Sequence, residues 1–250
     1  MNAAYPSFPA HASPASTHAN ATPVVFVIDA DAAVRNCLES LIQRAGWQPQ
    51  TFASAREFLS RQRVAAPSCL ILEVALPDLN GLDLLERTSE SRIGMPTIFI
   101  TGSGDVHTAV RAMKAGAVEF LTKPFAGEVL LAAIRGAIER SRAELDDEIE
   151  LRQLRHYYAS LSQREREVMA LVVRGLLNKQ VAGELGISEI TVKAHRGKAM
   201  QKMRADSLAD LVKIAARLKI TTVQRGRHQA RPHTALDPAG AHMYAVAAAA

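Results

Sequence analysis

The sequence predicts a doubly wound parallel α/β domain followed by an all-α domain of four helices. Three observations carry this. Between residues 24 and 125, short apolar runs alternate with amphipathic segments, the rhythm of a parallel sheet with helices on both faces. From residue 161 onward, helix caps and helical spacing recur without a strand-like run. Charge divides along the same line. Residues 23–125 carry 10 Lys/Arg and 11 Asp/Glu, a net of −1, whereas residues 161–220 carry 12 and 6, a net of +6. Positive charge gathered in one helical module suits an anionic partner such as nucleic acid.

Taken in order, Val24 to Ile28 is a compact β-rich run. Val34, Leu38, Leu41, Ile42 and Ala45 then recur at helical spacing, with Gly46 as a stop. Cys69 to Leu72 and Thr97 to Ile100 read as further buried strands, and Val118 to Leu121 as the last strand. Between the last two, Val110, Met113 and Lys114 belong to a helix that ends at Gly116. Residues 126–157 read as one long helix, striped by Leu130, Leu131, Ile134, Ile138, Leu145, Ile149 and Leu154. Its length suggests a last domain helix running on into a linker that pairs with its own copy. The alternative is two helices broken near Asp146.

Ser162 and Glu165 form a capping box, and Gly175 stops the helix that follows. Asn178 is the expected cap of a short helix carrying Val181, Ala182 and Leu185. Gly186 makes a tight turn, and Ser188 caps a third helix reaching about Met203. Ser207 and Asp210 form another capping box before Leu208, Leu211, Val212, Ala215 and Leu218. The expected organisation is a low-complexity tail at 1–22, an α/β domain at 23–125 and its last helix and linker at 126–160. The helical domain follows at 161–220, with a second loose tail at 221–250.

Composition narrows the function. The 250 residues are 48% apolar, enough to fold rather than stay disordered. No apolar run approaches the length of a membrane span, and no basic segment precedes an apolar one near the start, so the chain reads as cytoplasmic. Cys37 and Cys69 have no metal-ligand spacing; both read as small core residues, with a redox switch as the alternative. No Gly-rich phosphate loop or nucleophile–base set is present, so an enzyme is not expected.

Val181 to Met203 is helix, Gly-containing turn, helix: the helix-turn-helix arrangement. Val192, Ala199 and Met203 share one face of the last helix and are expected inside. Lys193, Ala194, Arg196, Gly197 and Gln201 are expected on the other side, with Thr191 and Lys198 as further contacts. Small residues between basic ones allow close approach to a groove of double-stranded DNA, where Lys and Arg meet phosphate or guanine. Asn178 and Lys179 are placed to bind phosphate at the start of the preceding helix. His195 reads equally as a phosphate or base contact and as a packed structural histidine.

The segment SQREREVMALVVRGLLNKQVAGELGISEITVKAHRGKAMQKM resembles the LuxR-type helix-turn-helix domain, through its SxREREV start, NKxVAxxLGIS turn and TVKxHR helix. That resemblance implies dimers on paired DNA half-sites, formed through the last helix, about Ser207 to Leu218. VVFVIDAD at 24–31, CLILEVALPDLNGLDLL at 69–85, PTIFITG at 96–102 and GAVEFLTKPF at 116–125 resemble the receiver domain of NarL/FixJ-group two-component response regulators. This implies a five-stranded, flavodoxin-like sheet. Thr101, Phe120 and the Lys123-Pro124 pair fit the receiver pattern, as does the Pro77 to Gly81 loop. A sensor histidine kinase or RNA polymerase is the implied protein partner.

Two positions depart from that pattern. The family's phosphoacceptor aspartate is here Glu73. Its adjacent pair of metal-binding acids is here Asp29 and Ala30, with Asp31 one residue too far along. Phosphoryl transfer depends on positioning and charge neutralisation, and Mg²⁺ tolerates little error in its ligands. Inefficient conventional phosphorylation is therefore expected, and no cofactor beyond a weak Mg²⁺ site at Asp29 and Glu73. One reading makes Glu73 a built-in substitute for phosphate, paired with Lys123 and hydrogen-bonded by the Thr101 hydroxyl. The receiver would then serve as a dimerisation face along 106–115 and 118–121, with Phe120 reporting the active state. The others are a degenerate scaffold or docking site, slow phosphorylation on Glu73, and a structural ion-pair network among Asp29, Glu73 and Lys123.

Overall fold

A computed structural model describes residues 21–62, 64–90 and 95–220. Apart from Ala21 and Thr22, the two expected tails lie outside them. The chain divides into two compact units, one running to His156 and the other beginning at Tyr157.

The first unit holds strands β1 (Val24–Ile28), β2 (Gln48–Phe52), β3 (Ser68–Glu73), β4 (Thr97–Thr101) and β5 (Glu119–Thr122). They form one parallel sheet in the order β2-β1-β3-β4-β5. The helices are α1 (Ala32–Arg44), α2 (Ala55–Ser60), α3 (Gly81–Glu90), α4 (Val106–Lys114) and α5 (Gly127–Ala159), the last belonging to this unit as far as His156. Alternation along the strands builds two cores. Val24, Phe26, Ile28, Leu70, Leu72 and Phe99 face one way, with Phe58, Leu82, Leu84, Leu85 and Ala112 of α2, α3 and α4. Val25, Val27, Ile71, Ile98 and Ile100 face the other, against Leu38, Ile42, Leu130 and Ile134 of α1 and α5. Helices thus cover both faces, and β1, β3 and β4 are continuously buried.

Strand β2 is the element that periodicity missed. Its sequence, Gln-Pro-Gln-Thr-Phe, has no apolar run because it is an edge strand paired only to β1. Pro49 is tolerated there for the same reason. Helices α2 and α3 were not located individually either. Cys37 corrects another expectation: it is exposed, whereas Cys69 is buried. One residue from Leu38 is about 100° around a helix, which swings Cys37 off the core face. Ala45 is exposed as well and only terminates α1.

Helix α5 is continuous through Asp146, so the two-helix alternative does not hold. The buried Ser141 hydroxyl accepts the Ser68 backbone N–H at 3.0 Å, tying the helix to the start of β3. No helix among the described residues is long and apolar enough to cross a membrane.

The second unit contains α6 (Gln163–Val172), α7 (Asn178–Leu185), α8 (Glu189–Met203) and α9 (Leu208–Arg217). The capping box at Ser162 and Glu165 forms as expected. At α7 the cap falls one residue earlier than expected, on Leu177, whose N–H donates to the Gln180 side chain at 2.8 Å. Asn178 is the first helical residue instead. Ser207 caps α9, but Asp210 bonds the Ser207 hydroxyl at 2.7 Å, so no reciprocal box forms. Gly186, at φ +66°, closes α7 in the left-handed region that glycine enters without penalty. Leu161, Met169, Ala199, Met203 and Leu211 form one core; Val168, Val172, Val181 and Val192 form a second beside it.

Candidate functional site

In the first unit, three charged side chains converge at the carboxyl ends of β1, β3 and β5, where open α/β sheets place their sites. Asp29 follows β1 and Glu73 ends β3; both are buried, at 2% and 8% exposure. Lys123 follows β5, across a cis peptide to Pro124. Its ammonium donates to Asp29 Oδ2 at 2.6 Å and to Glu73 Oε2 at 2.7 Å. The remaining oxygens are also engaged. Asp29 Oδ1 accepts the Asp31 N–H at 2.9 Å, and Glu73 Oε1 accepts those of Val74 at 2.9 Å and Ala75 at 3.4 Å. Burial by itself would lower the Lys123 pKa, but the Asp29 and then the Glu73 carboxylate outweigh it and hold the ammonium above its ordinary value. Gly81 lets the start of α3 pass close to the end of β3, since a Cβ there would lie 2.6 Å from the Glu73 carbonyl oxygen.

This donor set does not suit a divalent metal. All four carboxylate oxygens already have donors, and Lys123 stands between the two acids. Ala30 offers no side-chain ligand, and the carbonyls of Asp29 and Ala30 accept one Arg35 nitrogen at 2.6 and 2.9 Å. Among the described residues no group of three or more His, Cys, Asp or Glu could hold a metal ion. Asp31 turns away to cap α1, accepting the Ala33 N–H at 2.8 Å.

Thr101 corrects an expectation. It is buried, but its hydroxyl accepts the Ser103 N–H at 3.2 Å and faces the Ser103 carbonyl at 3.5 Å, not Glu73. The loop after β4 supplies closer partners than a carboxylate on the neighbouring strand. Phe120 is half-buried and packs on Phe99, ring centroids 6.3 Å apart. Sequence reasoning missed Arg35 as a clamp on the β1 end; its place one turn into α1 is the only sequence signal.

In the second unit, α8 presents the basic residues. Val192, Ala199 and Met203 are buried at 0–1% exposure. Lys193, Ala194, Gly197, Lys198 and Gln201 are exposed, Thr191 is half-buried, and Lys179 is exposed near the start of α7. Arg196 differs from its expected outer position. It is half-buried and donates to the Asn178 side chain at 3.3 Å. Four residues from Val192 and seven from Met203, it falls toward the inner face of a 3.6-residue helix. His195 is half-buried, and its Nδ1 is enclosed without a hydrogen-bond partner. An ion pair that the sequence did not suggest braces the helix: Lys202 donates to the buried Glu165 at 2.7 Å. That ammonium first, and the Ser162 N–H second, hold the Glu165 carboxyl below its ordinary range. The exposed face can meet an anionic surface with lysine ammoniums flanking small residues.

Known proteins place these two units. The response regulator receiver domain matches residues 25–135, and the luxR family of bacterial regulatory proteins matches residues 159–215. Nodulation protein W of Bradyrhizobium diazoefficiens is 46% identical over 205 residues, 82% of this chain and 90% of that protein. Response regulator protein TodT of Pseudomonas putida is 45% identical over 78% of this chain and 86% of its own. Transcriptional regulatory protein FixJ of B. diazoefficiens is 40% identical over 77% and 94%. Among solved structures, response regulator StyR superposes with a TM-score of 0.69 at 43% identity, covering 78% of this chain and 99% of that one.

Proposed function

Because the chain belongs to the NarL/FixJ-type two-component response regulators, which join a receiver to a LuxR-type DNA-binding domain, we propose that its receiver works without conventional aspartyl phosphorylation. The supporting observation is the closed triad. Glu73 stands in the acceptor position, and its outer oxygen is held by Lys123 at 2.7 Å. A phosphodonor would have to displace that ammonium, and the ion that normally neutralises the transferred phosphoryl group has no fitting ligand set. The standing Glu73–Lys123 pair takes the place of the contact that a phosphoryl group would make with the lysine. Thr101 takes no part in it.

The receiver then acts as a homodimerisation face. Val106, Val110 and Met113 of α4 favour this, being 81%, 45% and 49% exposed. Output is sequence-specific regulation of transcription through the exposed face of α8, with Lys193, Lys198 and Gln201 in the major groove and Lys179 on phosphate. Arg196 and His195 border that face. The domains are those expected above: receiver 23–125, last receiver helix and linker 126–160, DNA-binding domain 161–220.

The test compares oligomeric state and DNA affinity of untreated protein with Glu73→Ala and Glu73→Asp, at one stated salt concentration. Loss of both properties in Glu73→Ala is the expected result. A Glu73→Ala protein that matches the parent overturns the reading and leaves the receiver a scaffold or a docking site. Recovery of acid-labile phosphate on the parent after treatment with a small phosphodonor overturns it in favour of an ordinary phosphorylation switch.

A further inference from the structure

We propose that Ile190 reads a thymine methyl group in each half-site of the DNA that α8 recognises. The inference rests on the DNA-binding reading of α8 and adds a specificity-determining residue to it. Ile190 is 83% exposed, the most exposed large apolar side chain among the described residues. It is the second residue of α8, just beyond the Ser188 cap. The N-terminal residues of a recognition helix are those that contact base edges.

Its position around the helix is as telling as its exposure. At about 100° per residue, Val192, Ala199 and Met203 lie about 180° to 220° from Ile190. These three are the buried face. Ala194, Gly197 and Gln201 fall within about 40° of Ile190, and all three are exposed. Ile190 therefore heads the stripe that points directly away from the core. Below it stand two residues with minimal side chains, and a Cβ built on Gly197 would meet nothing within 4 Å. Such a stripe lets the backbone approach a surface closely, with Ile190 as its one bulky apolar projection.

A β-branched residue at an exposed helical position gains nothing from helix propensity and leaves its apolar surface in water. In the major groove the chemistry is complementary. Thymine alone presents a methyl group there, and apolar side chains recognise it by contact. Nothing about Ile190 suits phosphate, so the residue discriminates sequence and adds little to general affinity.

The experiment uses the full chain. Bound duplexes are selected from a random-sequence pool at fixed salt, and each thymine of the selected duplex is then replaced singly by deoxyuridine, which removes only the methyl group. Affinities are measured for the parent and for Ile190→Ala, whose helicity is checked by circular dichroism. One thymine per half-site is expected at which deoxyuridine weakens the parent about fourfold, the scale of one buried methyl group. Ile190→Ala should be insensitive at that position and keep the parent's salt dependence. Equal losses for both proteins at every thymine would overturn the role of Ile190 while leaving DNA recognition intact. Failure to select any sequence would instead overturn the DNA reading on which the proposal stands.

Discussion

The two charged sites of this protein are built in opposite ways. In the receiver, Asp29, Glu73 and Lys123 are drawn inward and satisfy one another, with every carboxylate oxygen bonded. In the helical domain, Lys193 and Lys198 stand on an exposed helix face, and among the described residues neither enters a salt bridge. Charges buried in low dielectric must be paired, and once paired they resist any change in that arrangement. Exposed lysines cost nothing to leave free and remain available to an outside anion. The contrast marks one site as closed on itself and the other as open to a partner.

The sharpest way to break the comparison is to remove the central ammonium. Lys123→Met would strand two buried carboxylates, and losing one partner of a buried pair costs about 3 to 5 kcal/mol. Denaturant unfolding of the receiver should show this loss. The parent should itself weaken at high pH. Its Lys123 pKa lies above the ordinary 10.5, so the stabilisation is present below about pH 10.5 and disappears as pH rises through the raised value. Millimolar Mg²⁺ should leave the parent's melting temperature unchanged, because the ammonium already neutralises the site. A clear Mg²⁺-dependent rise would break the closed-site reading.

The open site predicts a different response. Lys193→Ala combined with Lys198→Ala should weaken DNA binding about 10- to 100-fold near 0.1 M salt and lower the salt slope by about one unit per lost phosphate contact. Folding should be unaffected, since both side chains are exposed. An unchanged affinity would remove α8 from the interface.

The smallest expected effect concerns the brace behind α8. Lys202→Met should destabilise the helical domain by about 1 kcal/mol, a modest figure because Lys202 is partly solvent-screened. Glu165 is held below its ordinary value of 4.5, so its contribution is present above that pH and is lost as pH falls through the lowered value. Thermal melts between pH 3 and 7 should show a shallower acid limb in Lys202→Met than in the parent. Identical limbs would mean that the Ser162 cap alone sets the Glu165 pKa.

Much of this architecture was legible in the sequence because local rules wrote it. The buried strands are continuous apolar runs, and the caps at Ser162, Ser188 and Ser207 are chemical necessities of helix ends. Strand β2 was not legible, because an edge strand needs neither face to be strongly apolar. Asn178 was misplaced by one residue because both it and Leu177 lie beside the helix start. Arg196 was placed on the outer face by its charge, although helical geometry turns it inward toward Asn178.

The sequence by itself determined the residue types present: Glu73 and Ala30 at positions where the receiver resemblance implies a phosphoacceptor aspartate and a metal-binding acid, a lysine after the fifth strand, and a basic α8 with an isoleucine near its start. Tertiary structure decided which of these meet. Asp29, Glu73 and Lys123 are separated by 44 and 50 residues of chain, yet parallel strands β1, β3 and β5 end on the same side of the sheet and bring both carboxylates within 2.7 Å of the Lys123 ammonium. Thr101 ends the strand between β3 and β5, and its hydroxyl was taken by the nearer Ser103. Residue identity sets what a group can bond. Only the fold sets which partner reaches it first, because hydrogen bonds and ion pairs form over about 3 Å while sequence spacing says nothing about distances between strands.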